Sequence, residues 1–365
     1  MSKEKIRVGV IGANAHYGWG MRAHLPALLA LPEYQLTGVC TARRETAEES
    51  AKHYGASLAF NDYEEMAQHP DIDLISVAVK VPMHYDLVMA ALRAGKHVYC
   101  EWPLGANLRE AEEMAALAKS QEVRHMVGLQ ARSDPALLRL KELLSDNYVG
   151  EIMACNMTMF LPGLLQRGLD RAWMADRNQG ANTLTIATGH AIDVLCFCVG
   201  EFKEVSSQIA TQAPHWETPE PGQTVEVTAA DNILVNGVLT NGAVASMHVA
   251  TVPWHGTGWR MEVYGRDGTL VASSSEMVQY AQIRLQGGRA NDSALEDLPV
   301  PEGLTWVPGE VPQGAPFNVA QMYHRLGTAI REGKEVEPDF DLAVRRHRLL
   351  DTIQFSADKA RKEMV

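Results

Sequence analysis

The sequence predicts a two-domain α/β protein. The first domain is predicted to hold a doubly wound parallel sheet, and the second an α+β fold with a large, mostly antiparallel open sheet. Up to residue 130, short apolar runs alternate with helical patterns, as in a parallel sheet buried on both faces. Beyond residue 150, polar and apolar residues alternate between turn-forming pairs, as in a sheet with one open face. Because 365 residues exceed what one hydrophobic core fills, we predict domains at 1–132 and 133–365.

In the first domain, strand and helix patterns succeed one another. The predicted strands are 6–11, 34–40, 73–79, 97–100 and 123–129. The predicted helices are 21–30, 45–53, 84–94 and 108–120. Such repeated units favour right-handed crossovers between parallel strands.

The second domain begins with a helix at 134–144, where Asp134 is the predicted N-cap and Pro135 the first helical residue. Further helices are predicted at 182–199, 315–332 and 340–362, and an exposed Pro-rich loop at 213–222. The predicted strands are 151–160, 225–235, 243–251 and 260–264. The turn pairs assigned between strands are Asn236-Gly237, Asn241-Gly242 and Asp267-Gly268.

Composition excludes several classes of protein. With a net charge of −12, the chain lacks the basic surface that nucleic-acid binding requires, which argues against a protein that contacts nucleic acid directly. No stretch is apolar enough to suggest a membrane helix or a signal peptide, so we expect a cytoplasmic protein. The five cysteines are expected to be buried free thiols, and no residue spacing indicates a metal site.

A glycine-containing turn joins the first strand to the first helix. Gly12, Ala13 and Asn14 begin a loop whose backbone amides are suited to a dinucleotide pyrophosphate at a helix N-terminus, as in Rossmann domains. The spacing departs from Gly-x-Gly-x-x-Gly: Asn14 replaces the second glycine, and we expect it to hold a positive φ. Gly18 and Gly20 are expected to permit the close approach instead. The alternative is a purely structural turn.

The end of the second strand predicts which dinucleotide binds. An acidic residue there binds the ribose hydroxyls of NAD, whereas arginine accommodates the 2′-phosphate of NADP. Here Thr41 is followed by Arg43 and Arg44, and no acid is present. This favours NADP, with NAD still possible and a solvated arginine pair as the alternative.

The chain resembles the Gfo/Idh/MocA oxidoreductase family (glucose–fructose oxidoreductase, inositol dehydrogenase, rhizopine catabolism) over nearly its whole length. Within that family it is most similar to the subgroup of the yeast galactose-regulon repressor, a regulator rather than an enzyme. The stretches that carry the resemblance are Gly12-Ala13-Asn14-Ala15, Gly18-Trp19, Glu101-Trp102, Leu129-Gln130-Ala131-Arg132, Leu140-Lys141-Glu142-Leu143 and Thr188-Gly189-His190-Ala191-Ile192-Asp193.

The resemblance implies catalytic positions, and two of them are altered. Family dehydrogenases carry Glu-Lys-Pro after the fifth strand, where the Lys assists proton transfer. Here Trp102 replaces the Lys, and an indole cannot accept that proton. Ile186 stands where the family has an Asp, whereas His190 matches the family His. His190 is therefore the predicted catalytic residue, with packing inside the helix as the alternative.

The resemblance implies further contacts. Val79, His84, Glu101 and Trp102 are predicted to contact the cofactor. Trp102 is also predicted to contact the substrate. Gln130 and Arg132 follow the sixth strand, at the carboxyl end where ligands of open α/β sheets bind, and are predicted to contact the substrate or the cofactor. Asp193 is predicted to contact the substrate, with orientation of His190 or a plain polar residue near the helix start as the alternatives. Lys80 could substitute in part for the lost Lys, but a solvent-facing lysine is the favoured alternative. The aromatic loop 254–259 is expected to be buried in a subunit interface, with stacking on a sugar ring as the alternative.

Two functions follow. The first is an NADP(H)-dependent oxidoreductase that transfers hydride to or from a sugar or polyol. The second is a non-catalytic NADP-binding sensor that regulates a partner protein. A lyase or glycosidase has no direct support. We expect a homodimer or higher oligomer through the open sheet, with a small sugar-like substrate.

Overall fold

The computed structural model describes residues 4–219 and 223–365. The chain divides into two compact units. The first comprises 1–130 and 306–345, and the second 131–305 and 346–365. The predicted boundary at 132 is close to the division at 130, but segment 306–345, predicted for the second domain, belongs to the first unit.

The first unit contains a parallel sheet. Its strands, within the described residues, are β1 (Ile6–Ile11), β2 (Tyr34–Cys40), β3 (Leu58–Phe60), β4 (Leu74–Val77), β5 (His97–Glu101) and β6 (His125–Gly128). They are ordered β3-β2-β1-β4-β5-β6, which is the Rossmann order. The order reverses between β1 and β4, so the crevice for a ligand lies at the carboxyl ends of those strands.

Helices connect the strands of this sheet. They are α1 (Leu25–Ala30), preceded by a π-helical turn at Gly20–His24, and α2 (Arg44–Tyr54), α3 (Tyr63–Gln68), α4 (His84–Arg93) and α5 (Leu108–Ser120). Gly95 lies just beyond α4 with φ +70°, the left-handed conformation that commonly ends a helix. The pair β3–α3 was not predicted because both elements are short. Asp62 caps α3 by accepting a hydrogen bond from the Glu64 amide.

The second unit contains a mostly antiparallel sheet. Its described strands are β7 (Ile152–Pro162), β8 (Phe202–Ala210), β11 (Asn232–Leu239), β12 (Val244–Val252), β13 (Gly258–Gly265), β14 (Gly268–Ser274), β15 (Arg284–Arg289), β16 (Glu296–Asp297) and β17 (Glu363–Met364). Of the described pairs, only β7 with β12 is parallel. A small separate ribbon pairs β9 (His215–Glu217) with β10 (Thr224–Glu226).

Helices of the second unit include α6 (Pro135–Ser145) and α7 (Gly189–Cys198), which follows a π-helical turn at Thr183–Thr188. As predicted, Asp134 is the N-cap of α6 and accepts hydrogen bonds from Ala136 and Leu137. One face of the large sheet is buried: Cys155, Met157 and Met159 alternate along β7 with half-buried residues.

Three local predictions were wrong, the last of them only in part. Asn236-Gly237 is not a turn but lies inside β11, where a Cβ on Gly237 would collide with the Glu204 carbonyl oxygen. Segment 225–235 is not one strand, because β10 and β11 are separate. Within segment 213–222, predicted as an exposed loop, His215–Glu217 form β9, where Trp216 packs in an apolar cluster with Val227 and Ala229. Residues 220–222 lie outside the described residues.

The chain returns to the first unit late in the sequence. Helix α8 (Ala315–Glu332) buries Val319, Met322, Tyr323 and Leu326 in the same core as residues of β1, β2 and α1. The last helix is α9 (Phe340–Lys359).

Candidate functional site

The loop after β1 is built by two glycines with different roles. Gly12 has φ +92°, and a Cβ there would collide with the Ala78 carbonyl oxygen after β4. Gly20 begins the first helical segment, and a Cβ there would collide with the carbonyl oxygen of Gly12. Gly20 therefore provides the close helix packing that the usual fingerprint assigns to its third glycine. Gly18, with φ +100°, faces open space.

The predicted role of Asn14 was wrong in its detail. Asn14 has no positive φ, since Gly12 and Gly18 hold that conformation in this loop. Instead its side-chain oxygen accepts a hydrogen bond of 2.9 Å from the His16 amide. This local bond shapes the loop without using the left-handed region.

Backbone donors remain available in the loop. The amide of Gly12 donates to the Cys40 carbonyl at 3.0 Å, and that of Ala13 does so at 3.4 Å. Among the described residues, the amides of Asn14 and Ala15 have no hydrogen-bond acceptor. Unsatisfied amides between a strand and a helix are suited to an anionic oxygen.

The structure distinguishes the two arginines after β2. The Arg44 guanidinium donates to Glu48 at 2.7 Å, an exposed pair one turn along α2. Arg43 is the exposed N-cap residue of α2, and within the described chain its guanidinium has no partner. The Thr41 hydroxyl donates to the Arg43 carbonyl at 2.9 Å and so fixes the turn. Arg43 is thus the better candidate for a phosphate contact.

His84 joins the segments that follow β4 and β5. Its ring nitrogens lie 2.9 Å from the Pro103 carbonyl oxygen and 3.2 Å from that of Val79. Burial lowers the pKa of His84, so the ring is neutral near pH 7. The predicted cofactor contacts of Val79 and His84 stay predictions; the ring sets the course of both segments.

Glu101 is the last residue of β5, and its carboxylate is held from two sides. The amide nitrogen of Gln130 lies 2.9 and 2.7 Å from its two oxygens, and Nε2 of His24 lies 2.9 Å from Oε1. Trp102 follows directly and is buried. Gln130 thus contacts Glu101, and its predicted substrate contact stays a prediction.

In the second unit, His190 lies in the first turn of α7. It is buried, like most of that helix. Asn182 caps the preceding turn by accepting from Leu184 and Thr185, and Ile186 lies within that turn. No observation assigns a substrate to His190, so its catalytic role stays a prediction.

Asp193, one turn along α7, forms a buried ion cluster. Arg132 donates to both carboxylate oxygens at 2.8 Å, and Arg346 donates to Oδ1 at 2.8 Å. Arg346 also pairs with Glu201 at 2.7 and 2.6 Å. Burial would raise the pKa of Asp193, but the two guanidinium groups outweigh it, so the pKa lies below its ordinary value.

This cluster changes how Arg132 and Asp193 are interpreted. We predicted both as substrate contacts, whereas the structure bonds them to each other and buries them. The substrate contacts stay predictions, but each would require breaking a bidentate pair. No sequence pattern indicated Arg346, which reaches Asp193 only through tertiary folding, or Glu201, which pairs with Arg346.

The predicted nucleotide-binding residues of the first unit gather along one edge. Gly12, Arg43, Val79 and Glu101 follow or end neighbouring parallel strands, at their carboxyl ends. Within the described ranges, no group of three acidic, histidine or cysteine residues could hold a metal ion, and no helix could cross a membrane.

Comparison with known proteins matches both halves of the chain to families. Residues 6–129 match a family described as "Oxidoreductase family, NAD-binding Rossmann fold" (Gfo/Idh/MocA), and residues 135–274 match "Gal80p, C-terminal domain".

Three similar proteins illustrate the range of relatives. A dehydrogenase of Aspergillus oryzae, AclE, is 36% identical over 59% of this chain, a match that spans 60% of its own length. The galactose/lactose metabolism regulatory protein GAL80 of Saccharomyces cerevisiae is 29% identical over 80% of this chain and 72% of its own. A levoglucosan dehydrogenase, solved with NADH and L-sorbose, superposes with a TM-score of 0.86 at 25% identity, covering 100% of this chain and 99% of the other.

Proposed function

We propose, from the premise that this chain belongs to the Gfo/Idh/MocA oxidoreductase family, that it is an NADP(H)-dependent oxidoreductase acting on a sugar or polyol. The observation that carries the proposal is the loop after β1. There Gly12 and Gly20 permit close backbone approaches that a Cβ would block, and the amides of Asn14 and Ala15 have no acceptor in the described chain. These features fit a dinucleotide diphosphate.

Arg43 supports NADP over NAD. Its guanidinium is exposed after β2, the position that faces the adenosine ribose in Rossmann domains. Within the described ranges it has no carboxylate partner, whereas Arg44 is paired with Glu48. A guanidinium without an ion-pair partner is well suited to a 2′-phosphate.

We assign His190 as the acid–base group. When bound, the nicotinamide supplies the hydride chemistry. An imidazole can accept the hydroxyl proton of a substrate alcohol at neutral pH. Trp102 replaces the family Lys and would present an apolar wall to the substrate rather than a proton. The proposed substrate class follows from the likeness to levoglucosan dehydrogenase, a sugar enzyme by its name.

A second candidate is a non-catalytic NADP-binding sensor that regulates a protein partner. Trp102 and Ile186 at the family's catalytic positions favour it. So does the match of 135–274 to a domain named after the regulator Gal80p.

Turnover separates the two candidates. Purified protein is incubated with NADP⁺ and a panel of sugars, polyols and sugar acids, and absorbance of the reduced nicotinamide is followed. We expect turnover that is lost in His190→Ala and retained in His215→Ala, a matched change at an exposed histidine of the same unit. Tight NADP⁺ binding without turnover on any substrate would contradict the oxidoreductase and support the non-catalytic sensor.

We further propose a cytoplasmic homodimer formed through the open face of the large sheet. Phe160 and His248 pack edge to face there and stay only half-buried in the single chain. Trp254, in the loop before β13, is 67% exposed, whereas Trp259 within β13 is buried. Sedimentation of the wild type against Trp254→Ala tests this interface, and a monomeric wild type would contradict it.

A further inference from the structure

A buried polar cluster lies behind Glu101 in the first unit. It consists of His24, Ser76 and Tyr323, which no sequence pattern predicted. Nδ1 of His24 lies 2.7 Å from the Tyr323 hydroxyl oxygen and 3.0 Å from that of Ser76. The Tyr323 hydroxyl donates to Ser76 at 2.8 Å. On its other side, the His24 ring reaches Glu101.

The cluster joins parts of the chain that are distant in sequence. His24 ends the first helical turn, Ser76 lies in β4 and Tyr323 in α8. His24 and Tyr323 are 299 residues apart. Their rings also pack edge to face with centroids 5.7 Å apart, so the hydroxyl and the imidazole are held by packing as well as by hydrogen bonds.

Each polar contact constrains the next. The carboxylate of Glu101 can only accept, so Nε2–H of His24 and the Gln130 amide donate to it. Both ring nitrogens of His24 are then engaged, which fixes the ring's rotation. Because a buried carboxylate that loses a donor is costly, the cluster holds Glu101 in one orientation.

Glu101 lies on the nicotinamide side of the crevice. A Rossmann dinucleotide spans the two halves of the sheet across the point where the strand order reverses, between β1 and β4. Arg43 follows β2, on the adenosine side. Glu101 ends β5, beyond β4, on the opposite side.

Resting on the proposed NADP(H) function, we infer that His24 and Tyr323 are positioning residues that hold Glu101 for the nicotinamide half of the dinucleotide. The α8 segment thereby contributes to cofactor binding through the His24 ring.

The test compares two ligands by calorimetry: NADP⁺, and adenosine 2′,5′-bisphosphate, which has the adenosine half but no nicotinamide. Glu101→Gln and Tyr323→Phe should each weaken NADP⁺ about tenfold, the size expected for one perturbed charge-assisted hydrogen bond. Both variants should bind adenosine 2′,5′-bisphosphate with an affinity within about twofold of that of the wild type. A variant that only loosened the fold would weaken both ligands.

Tyr34→Phe is the matched control. Its buried hydroxyl donates to the Tyr323 carbonyl at 2.7 Å, and its ring packs on Tyr323, but it does not contact His24 through a hydrogen bond in the described structure. It should cost similar stability in thermal denaturation and leave NADP⁺ affinity unchanged. The inference is overturned if Tyr34→Phe and Tyr323→Phe weaken NADP⁺ binding equally. It is also overturned if NADP⁺ affinity is unchanged in Tyr323→Phe or unchanged in Glu101→Gln. A wild type that binds neither ligand overturns the proposed function instead.

Discussion

Arg132 donates two hydrogen bonds of 2.8 Å to the carboxylate of Asp193, and both side chains are buried in the second unit. The pair is one side of the ion cluster completed by Arg346. Because α7 carries both Asp193 and His190, this bond sets the rotation of the helix that bears the proposed acid–base group.

Asp193→Asn should destabilise the fold by about 3–5 kcal/mol, because the buried guanidinium of Arg132 loses its bidentate carboxylate and Arg346 keeps the carboxylate of Glu201 but loses that of Asp193. Urea denaturation at pH 7 measures the loss. Glu151→Gln, which breaks the exposed pair with Arg266, is the control and should cost under about 1 kcal/mol. Equal losses of stability in the two variants would show that the buried cluster stabilises the fold no more than an exposed ion pair does.

The same carboxylate predicts a dependence on pH. The folded-state pKa of Asp193 is lowered from 3.8, so its stabilising effect is complete above that value and disappears as the pH falls through the folded-state pKa. The stability difference between wild type and Asp193→Asn should therefore narrow only in strong acid. A difference that already vanished near pH 5 would contradict this.

The two loop glycines give a test of the dinucleotide site. Gly20→Ala should abolish detectable NADP⁺ binding, since its Cβ meets backbone rather than a flexible side chain. A Cβ at Gly18 would face open space, so Gly18→Ala should cost only the strain of a positive φ, about 1–2 kcal/mol in the free energy of unfolding. Its binding should stay measurable by calorimetry. If Gly20→Ala bound normally, the loop would not be the phosphate site.

Cofactor choice should depend on Arg43 rather than on Arg44. Arg43→Ala should weaken NADP⁺ at least about tenfold and leave NAD⁺ unchanged, because only NADP carries the 2′-phosphate. Arg44→Ala removes a group that is already paired with Glu48 and should alter neither affinity. Dissociation constants for both coenzymes, measured for both variants, decide the matter. Equal effects of the two substitutions would contradict the assignment.

His347 should make the protein less stable in mild acid. Burial lowers its pKa from 6.5 to about 4, so the folded state keeps it neutral while the unfolded state takes up a proton. The contribution is complete above the unfolded-state pKa and is lost as the pH falls towards about 4. When the pH is lowered from 7 to 5, the free energy of unfolding measured in urea should fall by roughly 2 kcal/mol less in His347→Gln than in the wild type. Parallel pH profiles of the two proteins would contradict this.

Local signals were sufficient for much of the fold. Asp134 before Pro135 marked the start of α6, because capping depends on neighbouring residues alone. Asn236-Gly237 misled for the same reason: as a pair it favours a turn, but the close approach of β8 to β11 requires the glycine inside a strand.

The candidate site was only partly predictable. Gly12 and Arg43 belong to a short strand–turn–helix pattern, and their positions agree with it. His24, Tyr323 and Arg346 carry no such pattern, because their partners lie far along the chain and become neighbours only when the helices dock. Residue types that interact across such distances leave no periodicity in the sequence.

The late return of α8 to the first core has a consequence for biosynthesis. Residues of β1, β2 and α1 share their apolar core with Val319, Met322 and Leu326. A ribosome finishes the parallel sheet long before it makes those side chains, so the nascent sheet waits with an apolar face open to water. Translation of the whole intervening unit therefore precedes completion of the nucleotide-binding fold, and exposed apolar surface of this kind favours aggregation.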